Sequence, residues 1–235
     1  MTQLSLLERA GAEQLPLALD PTASPSLDDV IVAPECAAGV RLVASWPAWP
    51  SHAVILSGPS GSGKTHLAEV WAGRSDAVRI RGTELAGLDP TPVAGRAVLI
   101  EHIDIALRTE RPRAAQTGLF HLLNTARETR GHLLLTTRTP PGGWSLALPD
   151  LASRLSGATH IALGAPSEAQ MVAVLHKLFA DRQLAVAPPL VATIVSRLER
   201  SLRAARELVE RVDRIALAEH RKIDRSIVAK ALAGI

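Results

Sequence analysis

Apolar positions along this chain change their spacing about two thirds of the way through. The stretches AVILS (53–57), AVRIRG (77–82), RAVLIEHID (96–104), GHLLLTT (131–137) and THIALG (159–164) are short apolar runs closed by polar or glycine-rich residues, which predicts buried strands. Between them the spacing is helical. HLAEVWAG continues as a helix from residue 66, and AAQTGLFHLLNTARETR (114–130) carries Leu119, Leu122 and Leu123 on one face. AAGVRLVASW predicts a short helix ended by Pro47. After residue 166 only helical spacing remains, in SEAQMVAVLHKLFADRQ (167–183), PPLVATIVSRLE, SLRAARELVERVDRIALAEHR and DRSIVAKALAGI. Ser167 and Glu168 form a reasonable helix start. Strands alternating with helices predict a parallel α/β sheet, and the helix-only remainder predicts a small bundle appended to it. No internal repeat is present.

Residues before the first predicted strand fall outside this scheme. QLPLAL (14–19) alternates leucines with small residues like a half-buried strand, yet DPTASPSLDD, which follows, is loop chemistry. The organisation expected is an arm over 1–27, an α/β unit over 28–165 and a helical unit over 166–235. At 235 residues and 47% hydrophobic content the chain can build a substantial core. Cys36 is the only cysteine, so no internal disulfide can form, which fits a reducing compartment. No basic start followed by an apolar run suggests a signal peptide, and no apolar segment approaches bilayer length, so a cytoplasmic protein without a membrane role is expected. The formal charge of +3 comes from interleaved basic and acidic residues, not from the concentrated basic face of a nucleic-acid binder.

GPSGSGKT (58–65) changes the picture from a fold to a chemistry. Gly58, Gly63, Lys64 and Thr65 occupy every fixed position of G-x-x-x-x-G-K-[ST], after an apolar strand and before a helix. In such a loop, Gly58, Pro59, Ser60, Gly61, Ser62 and Gly63 turn main-chain N–H groups toward phosphate oxygens, and the helix N-terminus favours the anion. Lys64 would reach the β- and γ-phosphates, and Thr65 would ligate Mg²⁺.

A phosphate loop of this kind needs an acid at the end of a neighbouring strand. AVLIEHID offers Glu101, which would hold Mg²⁺ through water. The next position often carries a second acid that activates the attacking water. Here it is His102, mostly neutral at pH 7. If the strand continues, Asp104 faces the same side as His102. An ordinary strand-end carboxylate and a solvated histidine are the plain alternatives for Glu101 and His102. An arginine from a neighbouring subunit often meets such a nucleotide, and Arg154 in LPDLASRLSG is a candidate, while Arg203 in the first turn of SLRAARELVERVDR could fold over the nucleotide. Arg200, Arg206, Arg211 and Arg214 mix with Glu207, Glu210 and Asp213 as on a solvated helix face, and position alone does not choose among them.

Taken together, the phosphate loop, the acid-bearing strand, the Arg154 segment and Arg203 occur in AAA+ order, and GKTHL, TTRTPP, LPDLASRL and SLRAARELVERVDRIAL resemble the ATPase domain of the replication initiator DnaA. The 235 residues run through the helical lid without the helix-turn-helix DNA-binding domain that follows in DnaA. With an arm bearing Q-L-x-L-x-L, this combination resembles the Hda family of DnaA-related regulators, and SWPAWPSHAVILSGPSGSGKTHLAEVW looks like its alphaproteobacterial branch. The resemblance covers roughly residues 14–235. It implies an AAA+ P-loop NTPase fold: a parallel five-stranded sheet flanked by helices, with a small C-terminal helical lid.

By the same resemblance the cofactors are ADP or ATP with Mg²⁺, and the partners are the DNA polymerase III sliding clamp (its β subunit) and DnaA. It is compatible with a homo-oligomer and implies no direct sequence-specific DNA contact. Gln14, Leu15, Leu17 and Leu19 take the clamp-binding place, with Gln3 to Leu7 a second candidate. Arg154 takes the place of an arginine finger acting in trans, Arg203 that of the second sensor, and Ile31 and Val32 in VIVAPE that of the segment packed on adenine. Two positions depart from the pattern: His102 stands in the slot of the second acid, and Arg138 in that of the first sensor, where DnaA has an acid. Both imply weak or absent hydrolysis by the chain alone, with activation of DnaA in trans. The function implied is negative regulation of replication initiation through hydrolysis of DnaA-bound ATP. The competing readings are a stand-alone AAA+ ATPase or loader acting on DNA and a small-molecule kinase.

Overall fold

The computed structural model describes residues 26–108 and 112–233. Five strands, β1 (Ala53–Ser57), β2 (Val78–Arg81), β3 (Ala97–Glu101), β4 (His132–Thr137) and β5 (Thr159–Ala162), form one sheet in the order β2-β3-β4-β1-β5. All four pairings are parallel. Every residue of β1 is buried, as expected of a strand covered on both faces.

The helices are α1 (Ala37–Ser45), α2 (Lys64–Ser75), α3 (Ile103–Ala106), α4 (Pro112–Glu128), α5 (Pro149–Ser156), α6 (Glu168–Asp181), α7 (Pro188–Arg197), α8 (Leu202–Glu219) and α9 (Arg225–Leu232). Alternate strand residues supply two separate cores. Ile55, Ile100, Leu133 and Leu135 pack with Leu119 and Leu122 of α4 and Leu151 and Leu155 of α5. Val54, Leu56, Leu99 and Leu134 pack on the other face with Val43 of α1 and Leu67 and Trp71 of α2. A third core joins α6 to α9 through Leu175, Phe179, Ile194, Leu208 and Ile227. Helices α6, α8 and α9 open on side-chain caps, in which Ser167, Ser201 and Asp224 accept from first-turn N–H groups. No helix among the described residues is long and apolar enough to cross a membrane.

Aromatic rings gather at the N-terminal edge of the sheet. Trp49 stacks on Trp71 with centroids 5.0 Å apart, and Trp46 and Trp49 stand edge-on to His132. Trp144 lies beyond the opposite edge, after β4, where its Nε1 donates to Thr139 O at 2.8 Å.

The run RAVLIEHID differs from the expectation. It does not continue as a strand: β3 ends at Glu101, His102 takes a left-handed conformation (φ 54, ψ 45), and Asp104 lies in the short helix α3. The His102 N–H donates to the Thr136 hydroxyl at 3.0 Å, which takes it out of the strand ladder. Asp104 and His102 therefore do not share a strand face. Gln14, Leu15, Leu17, Leu19 and the alternative Gln3 to Leu7 lie outside the described residues.

Candidate nucleotide-binding site

Central strand β1 delivers the chain into the loop 58–65, and α2 begins at Lys64. The loop depends on glycine where it touches its surroundings. Gly58 has φ 152 and passes so close to Leu163 that a Cβ would stand 2.5 Å from its carbonyl oxygen. Gly61 has φ 74, and a Cβ there would run into Ser201 Oγ at the head of α8. Lys64 is only 5% exposed, and its Nζ donates to Gly58 O and Pro59 O at 2.8 Å each and to Ser62 Oγ at 3.4 Å. Burial holds its ammonium below the ordinary lysine range. Arg138 pushes it the same way, and Asp104 opposes them. Pro59, Ser60 and Thr65 are exposed, and Ser62 is buried.

Parallel register brings three strand ends to this loop. Ser57 pairs with Thr137, so Arg138 leaves the sheet beside Gly58, and Ile100 pairs with Leu135, so Glu101 ends β3 on the far side of β4 at the same end of the sheet. Glu101 Oε1 is buried and without a hydrogen-bond partner among the described residues, as are His102 Nδ1 and Asp104 Oδ1. Among the described residues no three His, Cys, Asp or Glu side chains form a ready cation site. An exposed Thr65 hydroxyl and a carboxylate with an unmet oxygen fit Mg²⁺, which takes few protein ligands and completes its shell with water and phosphate oxygens.

The remaining candidates lie around this edge. Arg154 sits in the last turn of α5, half-buried, and its side chain makes no hydrogen bond or ion pair among the described residues. Arg203, in the first turn of α8, is exposed, and its Nη1 pairs with Glu207 at 2.9 Å, so its guanidinium is directed along its own helix. The contact between α8 and the loop is instead main chain: Leu202 N–H donates to Gly61 O at 2.9 Å. Val32 is 59% exposed, while Ile31 O accepts from Gln170 Nε2 of α6 at 3.5 Å. Gly164 N–H donates to Glu35 O at 3.0 Å and joins that segment to the end of β5.

Three residues that the sequence reading gave no such place also belong to this edge. Asp104 is buried there. Ser201 is buried against Gly61. Arg206 bears on His66: burial first, and then the Arg206 charge, lower the histidine below its ordinary value. The three-residue spacing from Arg203 was the available signal for Arg206.

Solved structures share this architecture. Domain III of the Thermotoga maritima replication initiation protein DnaA aligns at TM-score 0.77 and 15% identity, covering 90% of this chain and 97% of that one. AMPPCP-bound DnaA from Aquifex aeolicus aligns at TM-score 0.69 and 13% identity, over 84% of this chain and 66% of that one. A point variant of RuvB from Thermotoga maritima aligns at TM-score 0.67 and 18% identity, over 89% and 71% respectively. The fold is thus that of the AAA+ domains of DnaA and RuvB, with its five-stranded parallel sheet flanked by helices. No protein-family model and no curated protein matches the sequence.

Proposed function

We propose that this chain is an adenine-nucleotide-binding adaptor of the Hda type, which docks on the sliding clamp through residues 14–19 and stimulates hydrolysis of ATP bound to DnaA. The observation that supports this reading is a phosphate loop whose Lys64 is held by Gly58 O and Pro59 O, at the same end of the sheet as His102, which sits in a left-handed turn where a water-activating acid would stand. The loop N–H groups and the start of α2 would take the phosphates, and Lys64 would exchange carbonyl oxygens for phosphate oxygens. Mg²⁺, held by Thr65 and through water by Glu101, would neutralise phosphate charge. Val32 and Ile31 would meet the adenine. Such a site keeps ADP or ATP bound and turns it over slowly.

Arg154 supplies the other half of the reading. A guanidinium on α5 without an ion-pair partner among the described residues would meet the γ-phosphate in a neighbouring DnaA and pair two of its oxygens at once. A finger of this kind is worth about 10³–10⁵ in rate, or about 4–7 kcal/mol of barrier. Hydrolysis of DnaA-bound ATP, measured with DNA-loaded clamp, should rise on addition of the wild-type chain and not on addition of Arg154→Ala. Robust steady-state hydrolysis by the isolated chain would instead support a stand-alone ATPase.

A further inference from the structure

Asp104 has no part in the reading above, yet it is the most enclosed acid at the nucleotide edge. It is 5% exposed, and its Oδ1 is buried with no hydrogen-bond partner among the described residues. The left-handed turn at His102 ends β3 and starts α3, and Ile103 and Ala106 on either side of Asp104 are locked into the sheet's core. That anchoring fixes where the carboxylate stands. Its charge bears on the Lys64 ammonium, which places it on the phosphate-loop side. The two are nevertheless not paired, because Lys64 Nζ takes three loop oxygens instead.

A buried carboxylate with an unmet acceptor is unfavourable unless a group from outside the chain satisfies it. Glu101, three residues earlier, has an unmet buried oxygen as well. Two acids with unmet oxygens at the phosphate end of one strand form an acceptor pair for the water shell of a divalent cation. His102 cannot serve there: its ring is no anion, and its main chain is committed to the turn. We propose that Asp104 is the second acid of the Mg²⁺ site, accepting with Glu101 from cation-bound water. This rests on the nucleotide reading of residues 58–65. It concerns how tightly Mg²⁺–nucleotide is held, not the activation of an attacking water.

The test uses the full chain and fluorescently labelled ADP, titrated with excess Mg²⁺ and again with chelator. Wild type should bind more tightly with Mg²⁺. Asp104→Asn and the smaller Asp104→Ser should both lose about tenfold or more of that gain, the cost typical of an outer-shell ligand, while keeping wild-type affinity in chelator. Melted without nucleotide, Asp104→Asn should be no less stable than wild type, because an unsatisfied charge has been removed. A Mg²⁺ gain kept by either variant overturns the proposal, and so does an equal loss of affinity with and without Mg²⁺, which marks a purely structural residue. If the wild type binds no nucleotide under either condition, or Lys64→Ala binds as well as wild type, the nucleotide reading itself fails.

Discussion

Arg154 stands in the last turn of α5 without an ion-pair partner among the described residues. The role proposed for it in trans makes a prediction that charge alone does not. Lysine keeps the positive charge and loses the planar fork, so Arg154→Lys should stimulate DnaA nearly as poorly as Arg154→Ala. Nucleotide affinity should be unchanged in both variants, since neither touches the loop. Normal stimulation by both would make Arg154 an ordinary surface arginine. At this scale the loop 58–65 was legible in the sequence, because its glycines and lysine specify one backbone path and one charge together. Asp104 was not. Its place depends on a positive φ at His102, which nothing in a non-glycine residue announces.

Helix α8 meets the phosphate loop end-on. Ser201 caps the helix, and the next N–H, from Leu202, is given to Gly61 O. Replacing Gly61 by alanine should strain a backbone at φ 74 and push Ser201 away, a cost of about 1–3 kcal/mol. The melting temperature and nucleotide affinity should fall together. If affinity falls and the melting temperature does not, the contact with α8 does not contribute to stability. Strands were readable as elements because each apolar run is closed by polar or turn residues. The signals for the short helix α5 are Pro149 at its first position and Leu151 and Leu155 one turn apart. On α8 the sequence could not choose between Arg203 and its neighbours, because every exposed position of an amphipathic helix looks alike until the packed face is known. The structure pairs Arg203 with Glu207 and brings the Arg206 charge near enough to lower His66.

Across the whole molecule, a parallel five-stranded sheet was expected, but its strand order β2-β3-β4-β1-β5 was not. Periodicity identifies strands but not which of them pair, since each pairing joins distant segments. Two histidines link the fold to pH. Burial lowers both His66 and His132, with Arg206 and His52 respectively adding to the effect, below the ordinary value of 6.5. The unfolded chain then takes up more protons than the folded one as pH falls through about 6.5, so stability is full above that pH and is lost below it. Melting at pH 7.5 and 5.5 should show a drop that His132→Gln reduces; a drop of the same size in the variant would remove His132 from the account. The clamp docking proposed for residues 14–19 is tested at this scale too. Replacing Leu17 and Leu19 by alanine should abolish clamp binding and leave the melting temperature and nucleotide affinity alone. Unchanged clamp affinity would exclude residues 14–19 and leave residues 3–7 to be tested.

The uneven placement of the four tryptophans gives the protein two separate optical reporters. Trp46, Trp49 and Trp71 share the sheet edge remote from the phosphate loop, while Trp144 is tied to Thr139, the neighbour of Arg138. Emission from the first three should follow unfolding and ignore nucleotide. Emission from Trp144 should change when phosphate settles beside Arg138, so Trp144→Phe should erase the nucleotide-dependent signal and keep the unfolding signal. A nucleotide response that persists in that variant would mean that occupancy of the loop is felt across the full depth of the sheet.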